Sequence, residues 1–201
     1  MIHFVFSQSK MKPEETEFWE PEPQLVQPGI YNAPPSDAIV LFDGSDFSKW
    51  RNERTKGPVG WTLNPDKSMT IKPGSGSIET LNEHGSIQLH IEWKSPTNAQ
   101  GNGQLRGNSG IFFQRRYEVQ VLNSYQNRTY SNGQAGSIYK QHIPLVNAMR
   151  PTGEWQVYDI VFNAPEFNEA GEEIKPGSFI VFHNGVLIQN AVEIQGSTEY
   201  I

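Results

Sequence analysis

The sequence predicts an all-β fold, a sandwich or jelly roll, and three observations point to it. Apolar and polar residues alternate over short runs. Turn residues separate those runs. Long stretches of helical periodicity are missing, while glycine, proline and aromatic residues are frequent (18 Gly, 14 Pro, 5 Trp, 7 Tyr and 11 Phe). That composition belongs to strands joined by turns. At 201 residues the chain suits one sizeable all-β domain. A chain of this length buries roughly 70% of the surface it exposes when unfolded, so it needs no disulfide or metal staple.

Residues 1–37 read as an N-terminal arm. Lys12-Pro13-Glu14-Glu15 is followed by Pro21, Pro23, Pro28, Pro34 and Pro35. Proline fixes φ and removes backbone donors. The arm is either wrapped on the body through Trp19 and Tyr31 or a mobile tail. The domain proper runs over 38–201. Ala38-Ile39-Val40-Leu41-Phe42 has the pattern of a buried strand, closed by the turn Asp43-Gly44. Trp61-Thr62-Leu63 and Ser68-Met69-Thr70-Ile71 straddle the turn Asn64-Pro65-Asp66. Ser86 to Lys94 alternates: Ile87, Leu89, Ile91 and Trp93 face one way, His90, Glu92 and Lys94 the other. Residues 98–108 form a Gly/Asn/Gln loop. Two strands follow, over 109–114 and 117–123, then a polar loop over 124–136. Residues 155–163 read as a strand, 164–177 as a surface hairpin. The runs 179–183 and 186–189 flank Asn184-Gly185, a strong type I′ hairpin signal.

Composition excludes several functions. There are no cysteines, hence no disulfide, thiolate metal site or cysteine nucleophile. The net charge is -6 with Lys and Arg scattered, which argues against nucleic acid as a partner. No apolar run approaches the roughly 20 residues that span a membrane. Met1 to Phe6 is apolar but short and lacks a basic flank, a poor export signal. No phosphate loop, dinucleotide fingerprint or nucleophile elbow occurs.

The candidate chemistry centres on Tyr117-Glu118-Val119-Gln120-Val121-Leu122-Asn123. Period two puts Tyr117, Val119, Val121 and Asn123 on one face, and Glu118, Gln120 and Leu122 on the other. A carboxylate beside an amide suits a polyol ligand. The alternative is an exposed polar face. If both strands lie in one sheet, Glu92 and Glu118 share a surface, and one acid is pushed up by the other; otherwise both are solvated. Asn108 opens a strand before Gly110 and either binds a sugar hydroxyl or caps a turn. His142 is a loop histidine, either an acid/base or incidental. With no paired histidines a zinc site is not expected, and no cofactor is.

In order along the chain, the segments Leu41-Phe42-Asp43-Gly44 with Trp50, Trp61, Gln88-Leu89-His90-Ile91-Glu92-Trp93, Gly107-Asn108-Ser109-Gly110-Ile111-Phe112-Phe113, Tyr117-Glu118-Val119-Gln120-Val121-Leu122, Gly136-Ser137-Ile138-Tyr139, Pro151-Thr152-Gly153-Glu154-Trp155 and His183-Asn184-Gly185-Val186 resemble the 3-keto-disaccharide hydrolase domain family. The resemblance implies a concanavalin-A-like jelly roll. It also implies a periplasmic or secreted bacterial hydrolase that cleaves glycosides already oxidised at C3. On it, Glu118 is the first choice of base, with Glu92 or His142 as alternatives. Gln120, Asn108, Tyr139 and Lys140 are candidates to hold hydroxyls or an enolate oxygen, and Trp155 to stack on a sugar or fill the core. A non-catalytic, lectin-like glycan-binding module is the alternative.

There are departures. The family commonly has Asp at the position of Asn123, Asn at Gln156 and Asp at Ser86. Its members continue with a closing strand containing Phe-Arg-Asn-Ile, and nothing like it follows Ile201. The expectation is a truncated domain, less stable alone and prone to self-association through an open sheet edge.

Overall fold

The computed structural model describes residues 12–31 and 33–198. The Met1–Phe6 segment and the chain end at Tyr200–Ile201 lie outside the described residues. Residues 1–81 and 82–201 form two compact units. Among the described residues, helical structure is limited to short 3-10 turns at Pro13–Thr16, Gly103–Leu105 and Ser131–Gly133. Among the described residues no helix is long and apolar enough to cross a membrane.

In the first unit, β1 (Trp50–Asn52) pairs antiparallel with β4 (Ile78–Thr80), and β2 (Thr62–Leu63) with β3 (Met69–Thr70). The expected strand at 38–42 does not form. Ile39 and Val40 are exposed, and side chains rather than a ladder satisfy two of its carbonyls. Lys49 Nζ donates to the Val40 carbonyl at 2.6 Å, and Trp50 Nε1 donates to that of Leu41 at 2.7 Å. An apolar run needs a neighbouring edge to become a strand, and here the backbone acceptors are already taken. In the arm, Trp19 is 82% and Tyr31 101% exposed, so neither is a buried anchor.

The second unit is a β-sandwich. One layer is an antiparallel sheet in the order β12-β11-β8-β5, with β5 Ile87–Trp93, β8 Gln156–Asn163, β11 Ser178–His183 and β12 Val186–Glu193. Cross-strand partners share a face. The register Leu89↔Ile160 and Ile91↔Tyr158, continued by Phe179↔Phe162 and Val181↔Ile160, therefore makes one apolar face. Against it packs the hairpin β6 (Ser109–Phe113) and β7 (Tyr117–Val121). Phe113, Tyr117, Val119 and Ile138 join Tyr158, Ile160, Phe162, Phe179, Val181 and Ile188 in a single core. The Phe113 ring centroid lies 5.0 Å from Phe162 and 5.1 Å from Phe179. Side chains buried this fully contribute about 2–3 kcal/mol each. Asn184 (φ 53) and Gly185 (φ 81) are both left-handed in the β11–β12 turn, as the sequence required. The surface hairpin expected over 164–177 forms as β9 (Glu166–Phe167) and β10 (Glu173–Lys175).

His183 is a charged-group candidate inside this core. It is fully buried, 4.7 Å from the Tyr158 ring and 5.9 Å from the Trp93 ring. Its Nε2 lies 3.2 Å from Gln156 Oε1, and its Nδ1 has no partner among the described residues. Burial, aided by the Arg150 charge, lowers its pKa from 6.5 to about 4. The neutral imidazole is therefore the native form. As pH falls from about 6.5 to about 4, the unfolded chain takes up this proton first and stability is lost, by about 3 kcal/mol in all. Urea melts at pH 7 and pH 4 are expected to show that loss in the native protein. A His183→Phe variant, which keeps an aromatic ring between Trp93 and Tyr158, is expected to lack it. Equal losses in both would disprove the assignment.

Candidate active site

The hairpin β6–β7 has two faces. Ile111, Phe113, Tyr117 and Val119 point into the core. The opposite face carries Gly110 across from Gln120 and Phe112 across from Glu118. A further segment lies along the other edge of β7. Val119 bridges to Ile138, Tyr139 N donates to the Glu118 carbonyl at 3.0 Å, and Gln120 N donates to the Ser137 carbonyl at 3.0 Å. Glu118 thus sits mid-face, with Phe112 on one side and Tyr139 on the other.

Gly110 makes the seat for the acid. A Cβ there would lie 2.1 Å from Glu118 Oε1 and 2.7 Å from its Cδ. The carboxyl group lies folded over the glycine, shielded from water on that side. Burial raises its pKa from 4.5 to about 7, because the charged form loses hydration. No ion pair offsets this among the described residues. Gly110→Ala is expected to change the melting temperature little, since the Glu118 side chain from Cγ outward, and no backbone, must move. It should displace the carboxyl and return its titration toward the ordinary range, which carboxyl NMR would read. An unshifted titration would show that the seat does not matter.

Beneath this face lies a network of amides. Gln120 is only 1% exposed and contacts Gln104, 2.8 Å away. Gln104 in turn bonds Thr129, the Gly133 carbonyl and Asn108. Beside Tyr139, Tyr130 and Tyr139 share a hydroxyl hydrogen bond of 2.6 Å. The Lys140 ammonium rests 3.5 Å from the centre of the Tyr130 ring. Lys140 holds a left-handed φ of 65°. Its N–H bonds the Asn132 carbonyl at 2.8 Å, and Asn132 Nδ2 bonds its carbonyl at 2.9 Å. Strain of this kind in a non-glycine residue costs about 1–3 kcal/mol and marks an enforced position.

The structure brings Glu118, Gln120, Asn108, Tyr139 and Lys140 together and separates the other candidates. Glu92 belongs to β5 in the opposing sheet, on the face turned away from the core, so it shares no surface with Glu118. His142 aims Nε2 at the Glu193 carbonyl, 2.6 Å away. Trp155 is 40% exposed, lies just before β8, and meets the Lys94 ammonium at 4.8 Å and the Arg150 guanidinium through its carbonyl. Strand β7 ends at Val121. Leu122, expected beside Glu118, is buried with Ala135 and Met149. Asn123 is buried and exchanges hydrogen bonds with Thr152 at 3.0 and 3.2 Å, so its amide fastens two loops. Among the described residues no group of three His, Asp or Glu side chains is gathered for a metal ion.

The ordered segments fall within a single family model, the 3-keto-alpha-glucoside-1,2-lyase-like domain, matched over residues 37–201. The chain belongs to that family. The fold agrees. A structure solved at 2.13 Å, proposed to be a glycosyl hydrolase from Parabacteroides distasonis ATCC 8503, shares 48% identity. The match covers 96% of this chain and 84% of that one, with a TM-score of 0.90. A second protein of that organism, also proposed to be a glycosyl hydrolase and solved at 1.70 Å, shares 19% identity over 80% of this chain and 73% of that one. Its TM-score of 0.56 speaks for the fold alone. No curated protein matches. The domain of this family is thus a jelly-roll β-sandwich, and its members' class is that of glycoside-cleaving enzymes.

Three residues of the cluster escaped the sequence reading. Phe112 carried a signal: in Ile111-Phe112-Phe113 one of three consecutive apolar residues must face away from the core, and Phe112 is 49% exposed. Gln104 and Tyr130 lie in polar loops, where pattern assigns no partner.

Proposed function

We propose that the protein cleaves glycosides oxidised at C3, by elimination followed by hydration. One observation carries this reading: a single carboxyl group of pKa about 7, seated on Gly110 between an exposed phenyl ring and a phenol pair. The C3 ketone acidifies the proton on C2. Glu118 takes that proton, and the electron pair moves toward the C3 oxygen as an enolate. The enolate re-forms the carbonyl, a C1–C2 double bond appears, and the C1–O bond breaks. The departing oxygen leaves with a proton as an alcohol. Water then adds its oxygen to C1, and C2 regains a proton. The sum is one glycoside plus one water giving one alcohol and one 3-keto sugar.

A base whose conjugate acid titrates near neutrality is stronger than an ordinary carboxylate and is still substantially charged at pH 7. Tyr139, Tyr130 and Lys140 supply hydrogen-bond donors and positive charge for the enolate oxygen. Phe112 offers an apolar surface for one face of the sugar ring. Asn108 holds a hydroxyl at the rim.

The test is incubation with a 3-keto-disaccharide and, separately, with its unoxidised parent. Cleavage of the keto form alone is expected. Cleavage of the parent would point to an ordinary glycosidase, which needs a second carboxyl group that the described residues of this face do not supply. Binding of either without cleavage would point to the lectin-like module.

A further inference from the structure

The amide of Gln120 is hemmed in by acceptors. On one side are Glu118 Oε1 at 3.1 Å and the Ser109 carbonyl at 2.9 Å. On the other are Gln104 Oε1 at 2.8 Å and the Gly133 carbonyl at 3.5 Å. A carboxamide has one donor end and one acceptor end, so it serves one side at a time. Gln104 is itself held in place. Its nitrogen donates to Thr129 Oγ1 at 3.1 Å and to the Gly133 carbonyl at 2.8 Å. Its oxygen accepts from Asn108 Nδ2 at 3.2 Å.

Two settings follow. With its nitrogen toward Gln104, Gln120 turns its oxygen to Glu118 and to the Ser109 carbonyl; the carbonyl offers it no hydrogen, so a bond forms there only if Glu118 carries a proton. With its nitrogen toward Glu118, Gln120 donates to a carboxylate and to the Ser109 carbonyl. Its oxygen then meets Gln104 Oε1, so Gln104 must turn as well and release Gly133 and Asn108. The first setting suits the acid, the second its conjugate base. We propose that Gln104 and Gln120 form a two-setting amide relay that turns with the protonation of Glu118, which makes both of them positioning residues.

This rests on the reading of Glu118 as the base. In that reaction Glu118 gains the C2 proton and later gives one back, and each setting supports one half of the cycle. Few charges compete for control of the acid. Strand β6 has no titratable side chain, and neither has the segment 194–198, whose Thr198 hydroxyl accepts from Glu118 N at 3.0 Å. Arg106 is bound to the Tyr125 carbonyl and Thr152. Tyr130, Tyr139 and Lys140 remain on the other edge of β7.

The test is a carboxyl-carbon NMR titration of the full chain, with the Glu118 signal assigned by its loss in Glu118→Gln. Gln104→Leu removes the oxygen that holds the Gln120 nitrogen away, and the Glu118 midpoint is expected to fall by about 1 pH unit. Added apolar burial alone would raise it, so the direction is diagnostic. The fall should vanish when Gln120→Met is combined with Gln104→Leu. The acid limb of kcat/KM should move with the titration, with kcat changing more than KM. Gln104→Met serves the same purpose if the leucine variant does not fold. A midpoint that stays or rises in the Gln104 variant would overturn the relay. A correct relay in an enzyme of another reaction would still show the fall, without 3-keto-glycoside cleavage. A wrong relay would leave cleavage intact and the titration unmoved.

Discussion

Glu118→Gln is expected to abolish turnover of a 3-keto-glycoside and, at the same time, to stabilise the protein above neutrality. On the proposed mechanism, the loss of activity follows from removing the group that takes the C2 proton. General-base catalysis contributes about 10²–10⁴-fold, and kcat should carry that loss while substrate binding persists. The gain in stability follows from linkage. The folded-state pKa of about 7 is above the ordinary 4.5, so the folded chain prefers the proton. The stability this supplies is fully present below about pH 4.5 and is lost as pH rises through about 7. Glutamine keeps the shape without the charge. With allowance for partial exposure, the variant should gain about 1–2 kcal/mol at pH 8 and nothing at pH 4. Urea melts at both values read this directly. A variant that is inactive but equally unstable at pH 8 would mean that the carboxyl is not strained by burial.

Tyr139→Phe is expected to have the second-largest effect. Tyr139 lies beside Glu118, and its hydroxyl is 2.6 Å from that of Tyr130. The enforced backbone of Lys140 brings an ammonium to the same rings. Donors fixed before the reaction stabilise charge that develops during it, and loss of one such donor costs about 10²–10³-fold in kcat. Phenylalanine keeps the ring and deletes the donor. The result should be a fall in kcat with KM little changed, because the ground-state ketone is a weaker acceptor than the enolate. Tyr130→Phe, one hydrogen bond further away, should cost less. A change confined to KM would assign Tyr139 to substrate binding alone.

Much of the fold was legible because alternation and turn chemistry are local. The β5 pattern at Ile87, Leu89, Ile91 and Trp93, and the Asn184-Gly185 turn, each forecast their structure without knowledge of partners. The run at 38–42 misled because its apolar residues say nothing about whether an edge is available. Glu118 stood out for the same local reason: β7 alternation turned it away from Tyr117 and Val119. Its link to Glu92 did not survive, since strand pairing is a long-range property and β5 lies in the other sheet. Gln120 was placed on the correct face, but its burial comes from Gln104 and the Gly133 carbonyl, which approach from loops with no periodicity. Tyr130 was hidden likewise. Its place depends on Gly133, where a Cβ would lie 2.0 Å from the ring.

On the proposed mechanism, Glu118 removes the proton at C2 before the glycosidic bond is replaced. Turnover of a 3-keto-disaccharide in deuterated water, stopped early, tests it most directly by mass and NMR analysis of the released sugar. Deuterium is expected at C2 of that sugar, in excess of the slow exchange measured without enzyme and with Glu118→Gln. Released 3-keto sugar carrying its original hydrogen at C2 would contradict it.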